Sequence, residues 1–207
     1  STLNTRQYAT KGYLEKLIAQ VFTGRERFEP GNPQEGYSPS PQERQSWLQI
    51  SYMKEAYHTM GPKFTLGWMA EALYSSKNFS ENYTATMMQA GEFAPTPHSK
   101  LMYNEAFRAN QYVAAGIKPI YVLNDMFQFR TEFYGFTPIF PIKKNALNKA
   151  YYGKAFSRFE YMGEVSVICH LPFGAISAYV NHYSSPRREW NVGMTIGWQL
   201  FNYRFVE

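Results

Sequence analysis

The chain has 207 residues, a formal net charge of +5 and an aromatic content of 18%. It contains no run of 18 apolar residues, which predicts no transmembrane helix, and its only cysteine, Cys169, leaves no internal disulfide framework or cysteine-rich metal site. The two basic pairs, Lys143-Lys144 and Arg187-Arg188, are isolated, whereas a nucleic-acid-binding face needs a denser basic patch. We therefore expect no nucleic-acid partner.

Polarity alternates with a period of two along much of the first half, and this period is the signature of a β-strand. The predicted strands are residues 11–27, 47–60, 63–76 and, with a looser pattern, 84–93. Four prolines in residues 28–44 predict a long loop, because proline interrupts a ladder of backbone hydrogen bonds. Gly61-Pro62 is predicted to form a tight turn.

The alternation is stronger in the second half. The predicted strands are residues 112–123, 126–136, 154–171, 175–183 and 191–202. Tight turns are expected at Asn124-Asp125 and at residues 172–174, and a loop at residues 184–189. A connecting segment at residues 137–152 is expected to hold one or two helical turns within residues 143–151. The total is eight or nine strands linked alternately by tight turns and longer loops, an asymmetry typical of outer-membrane barrels.

The last predicted strand shows the pattern most clearly. Val192, Met194, Ile196, Trp198 and Leu200 fall on one face, with glycine and small polar residues on the other. About ten such residues is the length of a tilted strand that crosses a bilayer. We therefore predict an all-β fold, an antiparallel transmembrane β-barrel. A soluble barrel alternates in the same way with its polarity reversed, so strand length, aromatic content and loop asymmetry carry the preference for the membrane.

The alternation also predicts which charges face the lumen. Arg130, Glu132, Lys118 and Glu71 all fall on the face opposite the apolar residues. A charge on the lipid face costs about 2–4 kcal/mol at mid-bilayer, so these side chains are expected to point inward. Ion pairs are predicted between Glu132 and Arg130 and between Glu71 and Lys54.

Motifs for catalysis and metal binding are missing from the sequence. It lacks the GxSxG, GxxxxGK[ST] and HExxH patterns, and its four histidines do not have the spacing of metal ligands. His170 and His182 lie on neighbouring predicted strands, where they would be near each other, but ordinary wall positions are the favoured interpretation. Asp125, the only aspartate, is assigned to a turn. We predict no catalytic residue, cofactor or metal site.

Several segments resemble a known group of barrels. The ending LPFGAISAYVNHYSSPRREWNVGMTIGWQLF resembles the final hairpin of the bacterial surface antigen barrels, the BamA/TamA superfamily, and the opening RQYATKGY is similar to a strand start in that superfamily. FAPTPHSKLMYNEAFRANQYVAAGIKPIYVL and FQFRTEFYGFTPI resemble the C-terminal barrel of bacterial patatin-like phospholipases. In those proteins a patatin domain and a periplasmic linker domain precede the barrel.

The resemblance implies a location and a role. Barrels of this superfamily have sixteen strands, so residues 1–207 would be one barrel domain forming the C-terminal half. The chain would lie in the outer membrane of a Gram-negative bacterium, in contact with lipid and, during insertion, with the barrel assembly machinery. It would anchor or export an N-terminal patatin-like lipase domain in cis, or assist protein assembly or translocation, and would not itself be an enzyme.

The resemblance also implies roles for particular residues. Arg108, in Phe107-Arg108-Ala109-Asn110, would be a lumen-anchoring arginine, although alanine stands where the superfamily has glycine. Gly193, Gly197, Trp198 and Phe201 would belong to the closing strand, with the two glycines either easing its opening or making room for aromatic side chains. Two other functions stay open: a self-contained eight-stranded porin or adhesin, and a soluble ligand-binding barrel. Homo-oligomerisation is also left open.

Overall fold

The structure is a computed structural model that describes residues 1–5, 8–26, 44–172, 174–185 and 190–198. Strands dominate it. In chain order the elements are β1 (Gly12–Arg25), β2 (Arg44–Thr59), β3 (Phe64–Ser75), α1 (Tyr83–Gln89), β4 (Gly91–Glu92), β5 (Arg108–Ala109), β6 (Gln111–Val122), β7 (Phe127–Pro138), β8 (Ile142–Lys144), β9 (Ala150–Tyr152), β10 (Glu160–Leu171), β11 (Gly174–Tyr183) and β12 (Trp190–Trp198). Two short 3-10 turns, Ser99–Leu101 and Glu105–Phe107, lie between β4 and β5.

Eight strands form one antiparallel sheet in the order β1-β2-β3-β6-β7-β10-β11-β12. This confirms the all-β prediction and the antiparallel arrangement. The sheet is open, because β1 and β12 lie at opposite edges and do not pair with each other in the part of the chain that is described. The short strands form two separate ribbons, β4-β5 and β8-β9. Within the described ranges no helix is both long and apolar enough to span a membrane.

Three local predictions are wrong. Residues 84–93 were expected to be a strand, but Tyr83–Gln89 is a helix that begins after Asn82, whose side chain accepts a hydrogen bond from the Ala85 amide. Residues 143–151 hold no helical turn, since Ile142–Lys144 pairs with Ala150–Tyr152. The long strand predicted from residue 154 begins only at Glu160. The loop predicted at residues 28–44 lies almost wholly outside the described residues.

The two faces of the sheet differ in polarity. One face, called the inner face, carries buried side chains of both kinds: apolar ones such as Ile120, Phe136 and Ile168, and the polar ones Thr65, Ser75, Lys118, Gln128, Arg130, Glu132, Glu160, Glu164, Ser166, Ser177 and Asn181. The opposite, outer face carries large apolar side chains that are exposed: Leu17, Val21, Leu48, Ile50, Phe64, Val113, Ile117, Tyr121, Phe127, Phe129, Phe133, Val165, Val167, Val180, Val192, Met194 and Ile196. Glu15 and Lys54, together with Arg25 and Arg44 at the strand ends, are charged exceptions on the outer face.

Two segments cover the inner face. Residues 1–5 run beside the start of β1, where the Thr2 amide donates to the Tyr13 carbonyl. Ala9 packs with Tyr57 and Ile120. At the other end, the connection between β3 and β6 places Phe93 and Phe107 against Phe136 and its neighbours on the sheet. We call these two segments, the N-terminal residues before β1 and the connection of residues 76–110, the plugs. They shield the polar residues between them from solvent.

Three glycines on the inner face make room for a tyrosine ring of the neighbouring strand, and each is directly opposite that tyrosine. The pairs are Gly67 with Tyr57, Gly116 with Tyr134, and Gly193 with Tyr179. A Cβ atom added at Gly116 would lie 2.7 Å from Cε1 of Tyr134, and one added at Gly67 would lie 2.7 Å from Cδ1 of Tyr57. Each tyrosine ring therefore lies over a position that only glycine leaves free.

The connections differ in length at the two ends of the sheet. Residues 60–63, 123–126 and 172–173 join strands tightly at one end. Residues 26–43, 76–110, 139–159 and 184–189 make longer connections at the other end. The turn at 123–126 contains Asp125, as predicted, and is closed by Asn124, whose side chain accepts from the amides of Met126 and Phe127.

Candidate functional site

A group of charged side chains lies on the inner face between the two plugs. Strand alternation directs one or two from each of four strands to this face. This charge cluster consists of Glu55 on β2, Lys118 on β6, Arg130 and Glu132 on β7, and Glu164 on β10. Arg130 is only 2% exposed and Lys118 only 5%. Ionised groups so deeply buried need charged partners, because desolvation disfavours an isolated charge.

Two ion pairs neutralise most of the cluster. Nζ of Lys118 lies 2.7 Å from Oε1 of Glu55, and Nε of Arg130 lies 2.6 Å from Oε1 of Glu132. The Tyr57 hydroxyl joins the pairs, since it accepts from Nη2 of Arg130 at 2.8 Å and donates to Glu55. Tyr134 donates to Oε2 of Glu132 at 2.5 Å. Contacts between β2 and β7, which lie three positions apart in the sheet, indicate that the sheet curls toward its inner face.

The N-terminal segment binds to the same cluster. Nη1 of Arg130 donates to the Ala9 carbonyl at 3.4 Å, and Nε2 of Gln128 donates to the Tyr8 carbonyl at 3.3 Å. The Tyr8 hydroxyl lies 2.7 Å from Oγ of Ser177 on β11. Burial raises the pKa of Tyr8, so its hydroxyl stays protonated at neutral pH. Residues 8 and 9 are thus held at the inner face by side chains of two strands.

Glu164 differs from the other carboxylates of the cluster. Its Cα partner on β7 is Glu132, so two buried carboxylates lie directly opposite each other. No lysine or arginine forms an ion pair with Glu164 in the described ranges. Nδ2 of Asn181 on β11 approaches Oε2 of Glu164 at 3.4 Å, which is a long hydrogen bond.

The predicted inward-facing residues fall into two groups. Arg130, Glu132 and Lys118 are buried on the inner face, and the predicted Arg130–Glu132 contact is present. Glu71 is half-buried on that face, where it accepts a hydrogen bond from Tyr112 at 2.6 Å.

The predicted pair between Glu71 and Lys54 is wrong. The register aligns Lys54 with Ala70, which places Lys54 on the outer face, away from Glu71. Nζ of Lys54 instead lies 3.6 Å from Oε2 of Glu15.

Arg108 lies in the connection between β3 and β6, away from the charge cluster. Nη1 of Arg108 donates to the carbonyls of Met88 and Ala90 at the end of α1, and Nη2 lies 2.6 Å from Oε2 of Glu92. A guanidinium that binds the last carbonyls of a helix stabilises its C-terminal end. The side chain therefore organises the plug, and its contacts with Glu55, Glu132 or Glu164 are absent from the described structure.

His170 and His182 lie on neighbouring strands but on opposite faces of the sheet. His170 lies on the inner face near Tyr8, whereas His182 lies on the outer face between Tyr161 and Trp190. Across the whole described part, no three residues among His, Cys, Asp and Glu are grouped so as to hold a metal ion.

Three of the four proposed closing-strand residues, Gly193, Gly197 and Trp198, lie in the strand at the sheet edge. Gly193 and Gly197 belong to β12 and face inward, and Gly193 makes room for Tyr179, because an added Cβ would lie 2.5 Å from Cζ of that ring. Trp198 ends β12, but its side chain falls outside the described residues, as does Phe201 entirely. The free edge of β12 has no strand partner in the described part.

Sequence reasoning missed four members of the site: Glu55, Tyr57, Tyr134 and Glu164. Alternation along each strand places these residues on the inner face, because each is an even number of positions from another inner-face residue of its strand: Met53, Glu132 or Ser166. The missing information was the cross-strand register, which decides that Glu55 reaches Lys118. Comparison of the chain with protein-family models, curated proteins and solved structures finds no match.

Proposed function

We propose that the chain forms part of the wall of an outer-membrane β-barrel, with its outer face against lipid and its charge cluster inside. The observation that carries this proposal is the exposure of large apolar side chains across the outer face, while charged side chains are buried on the inner face. Lys118, Arg130 and Glu132 are buried, while Val21, Val192 and Met194 are 78%, 80% and 65% exposed. In water the favoured arrangement is the opposite one, since apolar area is buried and charge is solvated.

The size of the apolar surface adds support. Large apolar side chains continue across the outer face from β1 to β12, whereas soluble monomers rarely expose an apolar patch larger than a few hundred Å². Along β3, the outward rings of Phe64 and Tyr74 are roughly 33 Å apart at about 3.3 Å per residue. At a tilt of about 40° this distance gives a band of about 25 Å, the height of the apolar belt of an outer-membrane barrel.

Aromatic side chains also form a row near the long connections. The rings of Phe133, Tyr161, His182 and Trp190 follow one another across β7, β10, β11 and β12, with successive centroids 5.0–6.0 Å apart. Aromatic rings concentrate at the boundary between lipid and water, where an apolar body meets a polar edge. This row fits one of the two girdles.

The open edges favour half a barrel over a complete small one. Lipid offers no hydrogen bonds to backbone groups, so every strand edge within a bilayer must be paired. In this proposal further strands pair with the free edges of β1 and β12, as in the sixteen-stranded barrels that the sequence resembles. A self-contained eight-stranded barrel would require β1 to pair with β12.

Within this proposal the chain has a supporting role. It anchors or exports a domain encoded upstream, for which the resemblance suggests a patatin-like lipase, and its partners are lipid and the barrel assembly machinery. Sequencing of the gene upstream of Ser1 tests this part. A GxSxG-bearing domain followed by a periplasmic linker domain is expected, and their absence would refute the lipase role while leaving the membrane wall untouched.

The membrane position is tested with a fluorescent label. Cys169 is replaced by serine, and cysteine is then introduced at Val165, in the middle of β10 on the outer face, or at Leu147, an exposed loop residue. In lipid vesicles a bimane at position 165 is expected to be quenched by brominated acyl chains, and one at position 147 by iodide in the aqueous phase. Strong iodide quenching at both positions, with no effect of brominated lipid, would refute insertion.

A further inference from the structure

The connection between β7 and β10, residues 139–159, carries an unbalanced positive charge. It contains no aspartate or glutamate and five basic residues: Lys143, Lys144, Lys149, Lys154 and Arg158. Arg158 is directed toward the plug of residues 76–110, where its Nη2 donates to the Ala106 carbonyl. The four lysines are exposed, and within the described ranges none of them forms an ion pair with a carboxylate. The connection therefore presents four cations to its surroundings.

The same connection continues the outer face at the end of the sheet that has the long connections. It returns along the end of β7, since the amides of Gly153 and Phe156 donate to the carbonyls of Pro141 and Ile139. The Phe159 ring lies over Gly135, because a Cβ atom added there would be 3.0 Å from Cε2 of that ring. Gly135 is an outer-face position of β7, aligned with Tyr161 of the aromatic row. The end of the connection is therefore next to that row.

Cationic and aromatic side chains meet in this part of the connection. The stem of Lys143 lies beside Gly153, where an added Cβ would be 2.8 Å from its Cε, so Lys143 is next to Lys154. Phe156 is 61% exposed and Phe159 is 63% exposed. We call Lys143, Lys154, Phe156 and Phe159 the basic patch. Its Phe156 has a φ of 51°, a left-handed conformation that is unfavourable for a bulky residue and that is concentrated at sites of binding.

The composition of the basic patch selects one class of ligand. Lysine ammonium groups bind phosphate as point charges, and their apolar stems lie along apolar surface while the charged ends stay in water. Aromatic rings are favoured at the boundary between acyl chains and headgroups. A negatively charged lipid surface increases the binding of each lysine near it by about fivefold. Two lysines beside two exposed rings, at the edge of the apolar outer face, therefore match an anionic phospholipid.

We propose that the basic patch binds the phosphate groups of anionic lipids in the leaflet next to the long connections, with Phe156 and Phe159 inserted between the headgroups. This inference rests on the proposed membrane wall and names the lipid chemistry that this end of the sheet prefers. Binding also fixes the ribbon of β8 and β9 at the membrane surface. Because Ile142 of that ribbon packs with Met87, helix α1 is held there as well.

The test uses the full chain in phosphatidylcholine vesicles with or without phosphatidylglycerol. Cys169 is replaced by serine, and a bimane is attached to a cysteine introduced at Ala155, an exposed residue between Lys154 and Phe156. A lipid with a nitroxide on its headgroup should quench this label more strongly when phosphatidylglycerol is present. In Lys143→Gln/Lys154→Gln the ratio of bound to free connection, taken from the quenched fraction, should fall by about 25-fold. Lys11→Gln/Lys63→Gln, which removes two exposed lysines at the opposite end, should keep the full effect.

A second variant separates the role of the Phe156 ring from the stability of the fold. Phe156→Gly should leave the midpoint of unfolding unchanged or raise it, because glycine adopts a φ of 51° without strain. The same variant should weaken quenching at position 155 in the vesicles that contain phosphatidylglycerol. Undiminished quenching would refute the insertion of this ring.

The bimane at position 165, read in the same vesicles, distinguishes failure of this inference from failure of the membrane wall. If brominated acyl chains quench position 165, the chain is inserted. In that case, equal quenching of position 155 in both lipids, or an effect of phosphatidylglycerol that Lys143→Gln/Lys154→Gln leaves intact, would overturn the lipid-binding inference alone. No quenching at position 165 would refute the membrane wall, and this inference with it.

Discussion

Replacement of Gly116 by alanine tests how tightly the Tyr134 ring packs over Gly116 on the inner face. The added Cβ would lie 2.7 Å from Cε1 of Tyr134 and 2.9 Å from the Phe133 carbonyl oxygen. Tyr134 is fully buried, and its hydroxyl is bonded to Glu132, so the ring has little room to move. Overpacking of this kind costs about 1–3 kcal/mol. Displacement of the hydroxyl from a charged acceptor adds about 1.5–3 kcal/mol, so the free energy of unfolding should fall by roughly 2.5–6 kcal/mol.

The assay is reversible denaturant unfolding followed by tryptophan fluorescence, with all variants in the same detergent. Gly24→Ala is the matched control, because it adds the same methyl group in a strand where nothing lies within 4 Å. We expect this control to be neutral or stabilising by up to about 1 kcal/mol, since alanine loses less backbone entropy than glycine. Gly193→Ala should fall between the two, because Tyr179 is only half-buried and yields more easily. If Gly116→Ala and Gly24→Ala agreed within about 0.5 kcal/mol, the inferred close approach would be wrong.

Three further predictions concern lipid, charge and pH. In lipid, Val165→Lys should lower the free energy of unfolding by about 2–4 kcal/mol, whereas Leu147→Lys should hardly change it. If both substitutions had near-zero effects in equilibrium unfolding, the outer face would face water. Lys118→Met should lower the free energy of unfolding by about 3–5 kcal/mol, because it leaves Glu55 without its cation. Adding Glu55→Leu should restore much of that free energy in the same assay, and no restoration would argue against the ion pair. Burial lowers the pKa of His98, so the unfolded chain binds the proton more readily. The contribution of neutral His98 to stability should be complete above the unfolded pKa of about 6.5 and should be lost as the pH falls through the lower pKa of the folded state. Unfolding of His98→Gln over the same range should depend less on pH, and an unchanged dependence would contradict this assignment.

Much of the main sheet follows from alternation alone. In β12 the large apolar residues occur at every second position, and in β7 Phe127, Phe129 and Phe133 share one face, which predicts that Arg130 lies on the other. The tight turns follow from local residues, as with Asn124, whose side chain closes its turn. Period and turn chemistry are short-range properties, so a single sequence displays them.

Features that depend on contacts between residues far apart in the sequence could not be predicted in this way. Helix α1 has only seven residues, and besides its Asn82 cap it is held by a hydrogen bond from the Tyr83 amide to the Asn148 carbonyl, far along the chain. A helix so short is stabilised by tertiary contacts more than by its own propensity. The position of Lys54 opposite Ala70 likewise depends on register, and a shift of one residue would have moved it to the inner face.

The sheet order also has a kinetic consequence. Every strand of the main sheet pairs with the strand next to it in the chain once the short ribbons are set aside, so assembly can advance one hairpin at a time. Closing the connection of residues 76–110 should cost about 2 kcal/mol more in chain entropy than closing the turn at residues 60–63. The pairing of β3 with β6 is therefore the step at which folding should slow, and the helix and aromatic residues of that connection, once formed, shorten the span that must be closed.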